Sequence, residues 1–157
     1  MKSRRRARRV TLEVLYEYDI AAHPPGEVLR RRLEANHMDH TGTEFASFLV
    51  QGVLRHQDHM DVLIARYAPE WPLEQMAVID RNILRIAIFE FLASDATPVK
   101  VAINEAVELA KTYGSDSAPR FVNGVLGTLA EQTESLREEL LAQPLGEEVV
   151  VLSTDAS

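Results

Sequence analysis

Apolar side chains recur at intervals of three and four residues along most of the chain, which is the spacing of one face of an α-helix. Ser3 and the Thr41/Glu44 pair are expected to cap helices, and Gly114 to end one in the left-handed conformation. Gly52, with the histidine-rich stretch after it, is expected to bend or split the third helix. The pattern therefore predicts an all-α fold, a compact bundle of six or seven helices without strands, and places the main helices at about 4–20, 27–36, 43–67, 73–93, 101–111 and 117–141.

The segment 73–93 is apolar on almost every side. A helix without a polar face is buried by its neighbours, so we place this one at the centre of the fold. Arg85 and Glu90 are the charged residues within its most apolar part. We expect both to form ion pairs with neighbouring helices.

The dipeptide Asn123-Gly124 is a strong signal for a β-hairpin, but the apolar residues around it recur at three and four rather than at two. We therefore predict a helix, in which Gly124 and Gly127 share one face and another backbone approaches closely. No helical period continues beyond Gln143. Residues 1–141 are predicted to form one domain and residues 142–157 a disordered tail.

The composition excludes several classes of protein. The chain has 157 residues, about one domain, and no cysteine, which excludes disulfides, thiolate zinc sites and cysteine nucleophiles and fits a reducing cytoplasm. No apolar stretch approaches the roughly 18 residues of a membrane span. The basic N-terminus is not a signal peptide, because Glu13, Glu17 and Asp19 interrupt what would be its apolar region.

Positive charge is concentrated at the N-terminus. The net charge of −7 disfavours a nucleic-acid partner, but six of the 17 basic residues fall in the first nine positions. Removing these six positive charges leaves −13 on the other 148 residues. A cationic end on an acidic body suits a polyanion that binds at one place only.

The arginines of this end are spaced for a helix. Arg4 and Arg8 are one turn apart, as are Arg5 and Arg9, so they form a cationic knob. Guanidinium groups pair with phosphate oxygens and stack on bases, which indicates RNA binding rather than catalysis. A solvated basic tail is the structural alternative. We expect the replacement of Arg4, Arg5 and Arg8 by alanine to lower RNA affinity and flatten its salt dependence while leaving thermal stability nearly unchanged.

Other residues carry weaker signals. His37 and His40, like His56 and His59, are spaced for a helical metal pair, but their polar surroundings favour solvent-exposed side chains, and we predict no metal. The motifs of serine hydrolases, nucleotide-binding P-loops and dinucleotide-binding folds are absent, so we predict no cofactor and no enzyme. Trp71, beside a proline at a helix entry, is interpreted as a packing residue.

Four segments, in this order, resemble the NusB family of bacterial transcription antitermination factors, and together they are highly specific. They are Arg4-Arg5-Arg6-Ala7-Arg8 with Leu15-Tyr16, Ile83-Leu84-Arg85-Ile86-Ala87 with Glu90, Pro98 with the run from Val101 to Lys111, and Phe121-Val122-Asn123-Gly124-Val125-Leu126. The resemblance covers most of residues 4–130. Arg9 stands where this family commonly has an acid, which makes the N-terminus more basic.

The resemblance implies two small helical subbundles and binding to the single-stranded boxA element of nascent ribosomal RNA. It also implies a small-subunit ribosomal protein, NusE, as partner and the elongating RNA polymerase as target. A cytoplasmic location follows from that role. The resemblance implies that the ribosomal protein contacts Glu74 and Asp80. The RNA contacts that the resemblance implies are Lys2, Arg4, Arg5, Arg8, Tyr16 and Phe121.

Two other functions stay open at this point. A domain resembling this one precedes some RNA methyltransferase domains, so the chain could be the RNA-recognition part of such an enzyme. Alternatively, it could be a helical adaptor whose arginines bind an acidic protein. Whether the RNA-free protein hides its arginines in a homodimer is also open.

Overall fold

The computed structural model describes residues 2–146, and within them it is all-α, as predicted. Eight α-helices exceed the six or seven expected, and a short 3₁₀ helix spans Leu73–Gln75. The helices are α1 (Lys2–Ala21), α2 (Pro25–Ala35), α3 (His40–Arg55), α4 (Gln57–Tyr67), α5 (Val78–Ala93), α6 (Val99–Tyr113), α7 (Ala118–Ala130) and α8 (Thr133–Leu141).

The extra helices arise where long predicted helices are interrupted. The segment predicted as 43–67 divides at His56, whose φ of −116° and ψ of 16° separate α3 from α4. The segment predicted as 117–141 divides at Glu131 and Gln132, between α7 and α8. Before α5, Met76 and Ala77 have ψ near 138°, so the central helix begins later than predicted.

Three predicted helix ends are wrong in detail. α1 already begins at Lys2, so Ser3 lies in its first turn, and its hydroxyl donates to the Asp39 carboxylate at 2.5 Å. Asp39 is the N-cap of α3 and accepts a backbone hydrogen bond, so Thr41 and Glu44 do not cap that helix. Gly114 ends α6 in an extended conformation, with φ −91° and ψ 179°, rather than a left-handed one.

The helices form two subbundles around α5. Helices α1–α3 pack on one another, and α4 and α6–α8 surround α5 on its other sides, while α1 and α3 join the two groups. The central position predicted for this helix is confirmed, because twelve of its sixteen residues are buried. Arg85 and Glu90 are paired as expected: Arg85 donates to Asp61 at 2.7 Å and to Asp19 at 3.1 Å, and Glu90 accepts from Arg8.

Glycine allows one close approach in the core. A Cβ atom at Gly52 would lie 1.9 Å from Cζ of Phe89, so α3 admits the ring only because this side chain is absent. At Gly124 and Gly127, in contrast, an added Cβ would meet no atom within 4 Å in the described part of the chain. The backbone expected to approach this pair is therefore not supplied by residues 2–146.

Residues beyond α8 return to the α3–α4 junction, where the Gly146 N–H donates to the Arg55 carbonyl at 2.9 Å. Most of the predicted disordered tail, residues 147–157, lies outside the described residues. Among the helices of residues 2–146, none has the length and apolar character needed to cross a membrane.

Candidate nucleic-acid interface

The predicted cationic knob at the start of α1 divides into an outer and an inner side. Lys2, Arg5 and Arg9 are exposed, whereas Arg4 is half-buried and Arg8 is buried. The division follows the helix period, since residues 2, 5 and 9 recur at three and four. We call Lys2, Arg5 and Arg9 the cationic face of α1.

Arg8 points into the protein and pairs with Glu90 of α5. Its Nε and Nη2 donate to the two carboxylate oxygens at 2.8 and 2.6 Å, and the side chains are only 4% and 1% exposed. The guanidinium also lies 5.2 Å from the centroid of the Phe45 ring. The structure therefore places Arg8 in a buried ion pair and not on the surface, where a polyanion would meet it.

Arg4 lies at the boundary between the interior and solvent. Its guanidinium lies 4.7 Å from the Phe45 ring centroid, within the range of a cation–π contact, and donates to the Thr97 hydroxyl at 3.3 Å. It lines a groove of about 290 Å³ that also contains Phe48, whose side chain is partly exposed. Arg4 is therefore only partly accessible to a partner.

Arg5 is the most accessible of the predicted arginine contacts, with 70% of its side chain exposed. Its Nε and Nη2 donate to Glu105 of α6 at 3.1 and 2.8 Å. This carboxylate raises the pKa of Arg5, through the hydrogen bonds first and the charge second. Both bonds use one edge of the guanidinium, which leaves the Nη1 group available to a phosphate oxygen.

The remaining basic residues of this end differ in their partners. Arg6 donates to the backbone carbonyl of Asn36. Lys2 and Arg9 have no ion pair or side-chain hydrogen bond within residues 2–146. An unpaired exposed cation keeps its full charge for a partner, so these two residues are as important to the cationic face as Arg5.

Tyr16 lies on the same side of α1 as the cationic face. It follows Arg9 by seven residues, two helical turns, and it is 40% exposed. The structure therefore aligns this residue, expected to contact RNA, with Lys2, Arg5 and Arg9. An aromatic ring beside cations suits a nucleic acid, because the ring can stack on a base.

Phe121 lies elsewhere, on α7. Its ring centroid is 6.1 Å from that of Trp71, at an interplanar angle of 48°. The two rings line a groove of about 430 Å³ whose walls contain none of the α1 arginines. Trp71 is 53% exposed, so the packing role predicted for it accounts for only part of its surface.

The two carboxylates expected to contact a protein partner differ in accessibility. Glu74 is exposed in the 3₁₀ helix, whereas Asp80 is only 8% exposed in the first turn of α5. Its Oδ1 atom has no hydrogen-bond partner in the described structure, and burial raises the pKa of this carboxyl. Only Glu74 is thus presented to a partner in this conformation.

The histidines fall into two groups. His37 and His40 are exposed, as predicted, but His59 is 8% exposed and lies 3.1 Å from a carboxylate oxygen of Glu139. The prediction of a solvent-exposed side chain is therefore wrong for His59, because α8 covers it. Burial lowers the pKa of both His56 and His59. No group of three or more potential metal ligands occurs in residues 2–146.

A family model described as the NusB family matches residues 5–131. The chain belongs to the NusB family. Two curated relatives, each a transcription antitermination protein NusB, support this membership. The protein of Dehalococcoides mccartyi strain CBDB1 is 47% identical over 87% of this chain and 98% of its own length. That of Roseiflexus castenholzii strain DSM 13941 is 49% identical over 82% of this chain and 92% of its own.

Solved structures agree with the NusB fold. The NusB structure of T. maritima has a TM-score of 0.79 and 32% identity, covering 87% of this chain and 96% of that one. A crystal structure of antitermination factors NusB and NusE in complex with dsRNA has a TM-score of 0.74 and 29% identity, covering 83% and 98% of the two chains. The expected NusB-like helical fold is confirmed.

Sequence reasoning missed one residue of this NusB-family surface. Glu105 holds Arg5 and lies 3.9 Å from Arg8, with only 13% of its side chain exposed. The signal was present in α6, since Glu105 lies one helical turn from Ala102 and from Leu109, both buried. A carboxylate at the edge of an apolar stripe indicates a partner on the adjoining helix.

Proposed function

We propose that this NusB-family protein is a transcription antitermination factor that binds RNA through the cationic face of α1. The observation that carries the proposal is the exposure of Lys2, Arg5 and Arg9 on one helix face of an otherwise acidic chain. Arginine and lysine in such an arrangement form the electrostatic footprint of a nucleic-acid-binding protein. Tyr16 on the same face would add stacking on a base.

We propose that the protein binds the boxA element of nascent ribosomal RNA together with NusE. In the cytoplasm it would then act on the elongating RNA polymerase. The relatives' name and the solved complex of NusB, NusE and dsRNA support this assignment. Glu74 is the residue accessible for contact with the ribosomal protein, and Asp80 would support Glu74 from the interior. In this role the protein binds the RNA and recruits NusE to it, and it needs no catalytic group.

Affinity should depend on salt and on the protein partner. Each phosphate contact to single-stranded RNA contributes about −0.7 to the slope of log K against log salt concentration. Three cations then give a slope of about −2. Electrostatic binding of this size is too weak to select one RNA among many. We therefore expect NusE to strengthen binding and to supply much of the discrimination between RNAs.

The test measures fluorescence anisotropy of a boxA-like RNA, a scrambled RNA and a duplex RNA at several salt concentrations, with and without NusE. The variant Arg5→Ala/Arg9→Ala should weaken RNA binding and flatten the slope by about 1.4, for two lost contacts. Arg30→Ala/Arg31→Ala is the matched control, since it removes the same charge from α2.

Unchanged RNA binding in the α1 variant would overturn the proposal. An equal loss in the α2 control would also overturn it, because only the net charge of the protein would then matter. An acidic peptide that displaces the RNA no better than salt of equal ionic strength would exclude the adaptor alternative. Size-exclusion chromatography of the free and RNA-bound protein in the same series tests whether the RNA-free protein forms a homodimer.

A further inference from the structure

A groove beside the start of α1 combines an exposed aromatic ring with hydrogen-bonding side chains. Its walls come from α1, from α3 and from the residue that ends α5. We define the α3 groove as Arg4, Thr41, Glu44, Phe48 and Ser94, which line a space of about 290 Å³. On α3, Thr41, Glu44 and Phe48 are spaced at three and four residues and therefore share one helix face.

The Phe48 ring of the α3 groove is exposed and held in place. It is 38% exposed, and its centroid lies 6.2 Å from that of Phe45 and 5.1 Å from that of Phe89. Two neighbouring rings thus fix its orientation, so the Phe48 side chain loses little entropy when a flat ligand covers it. Aromatic rings presented in this way are the platforms on which bases of single-stranded nucleic acid stack.

Arg4 connects the α3 groove to the cationic face of α1. It precedes Arg5 by one residue, and its guanidinium lines the groove against the Phe45 ring while donating to Thr97. It has no carboxylate partner within residues 2–146, so its charge is available to a phosphate. An RNA backbone bound at the cationic face would therefore reach Arg4 next, and the base beside that phosphate would reach the groove.

Thr41 and Glu44 are available to the edge of a base, because Asp39 caps α3 in their place and both side chains are exposed. His40 lies 3.2 Å from one carboxylate oxygen of Glu44, which leaves the second oxygen for a ligand. A carboxylate only accepts hydrogen bonds, so it selects a base that donates one through an exocyclic amino group, as cytosine and adenine do. Uracil presents a carbonyl oxygen in place of the amino group of cytosine. The Thr41 hydroxyl can donate or accept and adds no preference.

We propose that the α3 groove binds an unpaired RNA base that carries an exocyclic amino group, stacked on Phe48 and donating to Glu44, while Arg4 holds the adjoining phosphate. The inference rests on the proposed RNA-binding function and adds Phe48 and Glu44 to its contacts. Stacking on Phe48 provides affinity for any base, and Glu44 provides the preference for cytosine or adenine over uracil.

Fluorescence anisotropy with oligo(C) and oligo(U) of equal length tests this base site. The wild-type protein should bind oligo(C) about 5-fold more tightly, the lower end of the range for one base contact. Phe48→Leu should lower the affinity for both oligomers about 5- to 150-fold, the range for one lost base stack. It should leave the salt slope unchanged, because no phosphate contact is lost. Phe48→Tyr, which keeps a ring, should retain most of the affinity. Glu44→Gln should bring the two affinities together, since an amide can also donate to the carbonyl oxygen of uracil.

Tyr18→Leu is the matched control, because Tyr18 is a similarly exposed aromatic residue that lines a different groove. Circular dichroism verifies folding, and the exposed substitution Glu44→Gln still tests the site should Phe48→Leu unfold. Wild-type RNA affinity in Phe48→Leu, or equal affinity of the wild-type protein for the two oligomers, would overturn the base site. The proposed function would remain intact in that case if Arg5→Ala/Arg9→Ala weakens RNA binding.

NusE serves as a second ligand in the same series. A Phe48→Leu variant that loses affinity for NusE and keeps its affinity for RNA would assign the α3 groove to a protein partner and also overturn the base site. A wild-type protein that binds neither the two oligomers nor the boxA-like RNA would instead contradict the proposed function.

Discussion

Replacing Arg8 by alanine should unfold this protein at a markedly lower temperature. The guanidinium and the Glu90 carboxylate are joined by two hydrogen bonds, with side chains 4% and 1% exposed. Arg8→Ala leaves a buried carboxylate without its charge partner and removes a cation from the Phe45 ring. This expectation reverses the one drawn from sequence, in which removing Arg4, Arg5 and Arg8 leaves thermal stability unchanged.

The magnitude follows from the burial of the pair. Removing one partner of a buried ion pair costs about 3–5 kcal/mol, because the other charge remains in the low-dielectric interior. For a domain of this size, each kcal/mol lowers Tm by about 2–4 °C. The expected decrease in Tm is therefore about 6–20 °C. Replacing Arg8 and Glu90 together by methionine should recover most of it, since apolar substitutes leave no uncompensated charge.

Thermal and urea denaturation measure the stability of the variants, and RNA anisotropy is recorded at a temperature where each variant is folded. Arg5→Ala is the control, because its exposed pair with Glu105 should contribute little to stability. Arg8→Ala should be destabilised with RNA affinity close to that of the wild type. A Tm close to that of the wild type, with an affinity loss like that of Arg5→Ala, would refute the buried-pair argument and return Arg8 to the RNA surface.

Two glycine variants should change stability in opposite directions in urea denaturation. Gly52→Ala should lower the free energy of unfolding by about 1–3 kcal/mol, because its Cβ would overlap the Phe89 ring. Gly127→Ala should raise it by up to about 1 kcal/mol, because nothing lies within 4 Å of the added Cβ. A change of the same sign in both variants would contradict this. Stability should also fall below about pH 6.5, because the pKa values of His56 and His59 are lowered in the folded state while the unfolded chain binds protons. Changing both histidines to glutamine should reduce this slope, and an unreduced slope would assign the effect to other groups.

The number of helices was underestimated because breaks did not disturb the hydrophobic period. Val53 and Met60 are buried on either side of the α3–α4 break, and they are seven residues apart. Leu129 and Leu136 are equally spaced across the break between α7 and α8. Seven residues are two turns of one continuous helix, so two short helices that pack on one core leave the same pattern as one long helix.

The centre of the fold was predictable for a stronger reason. Helix α5 is apolar on almost every side, and only burial among other helices satisfies that composition. Arg85 and Glu90, in its most apolar part, could likewise be predicted to need partners, since an unpaired buried charge is too costly. Which partners they have could not be predicted, because Arg8 and Glu90 are 82 positions apart and meet only through packing.

The pattern of α1 nevertheless distinguishes its arginines, once the periodicity is applied to charged and apolar residues alike. Arg8 precedes Leu12 by four residues and Leu15 by seven, and both leucines are buried, so Arg8 belongs to the apolar stripe of the helix. Arg5 is followed at four and seven residues by Arg9 and Leu12, of which only Leu12 is buried, and Arg9 is followed by Glu13 and Tyr16, of which neither is buried. The number of arginines alone identified a cationic end. An arginine on the buried stripe, however, requires a carboxylate inside the protein, because an unpaired buried charge is too costly. For the same reason Glu90 on the central helix requires a cation. The arginines outside the stripe are therefore the ones available for the proposed RNA contacts.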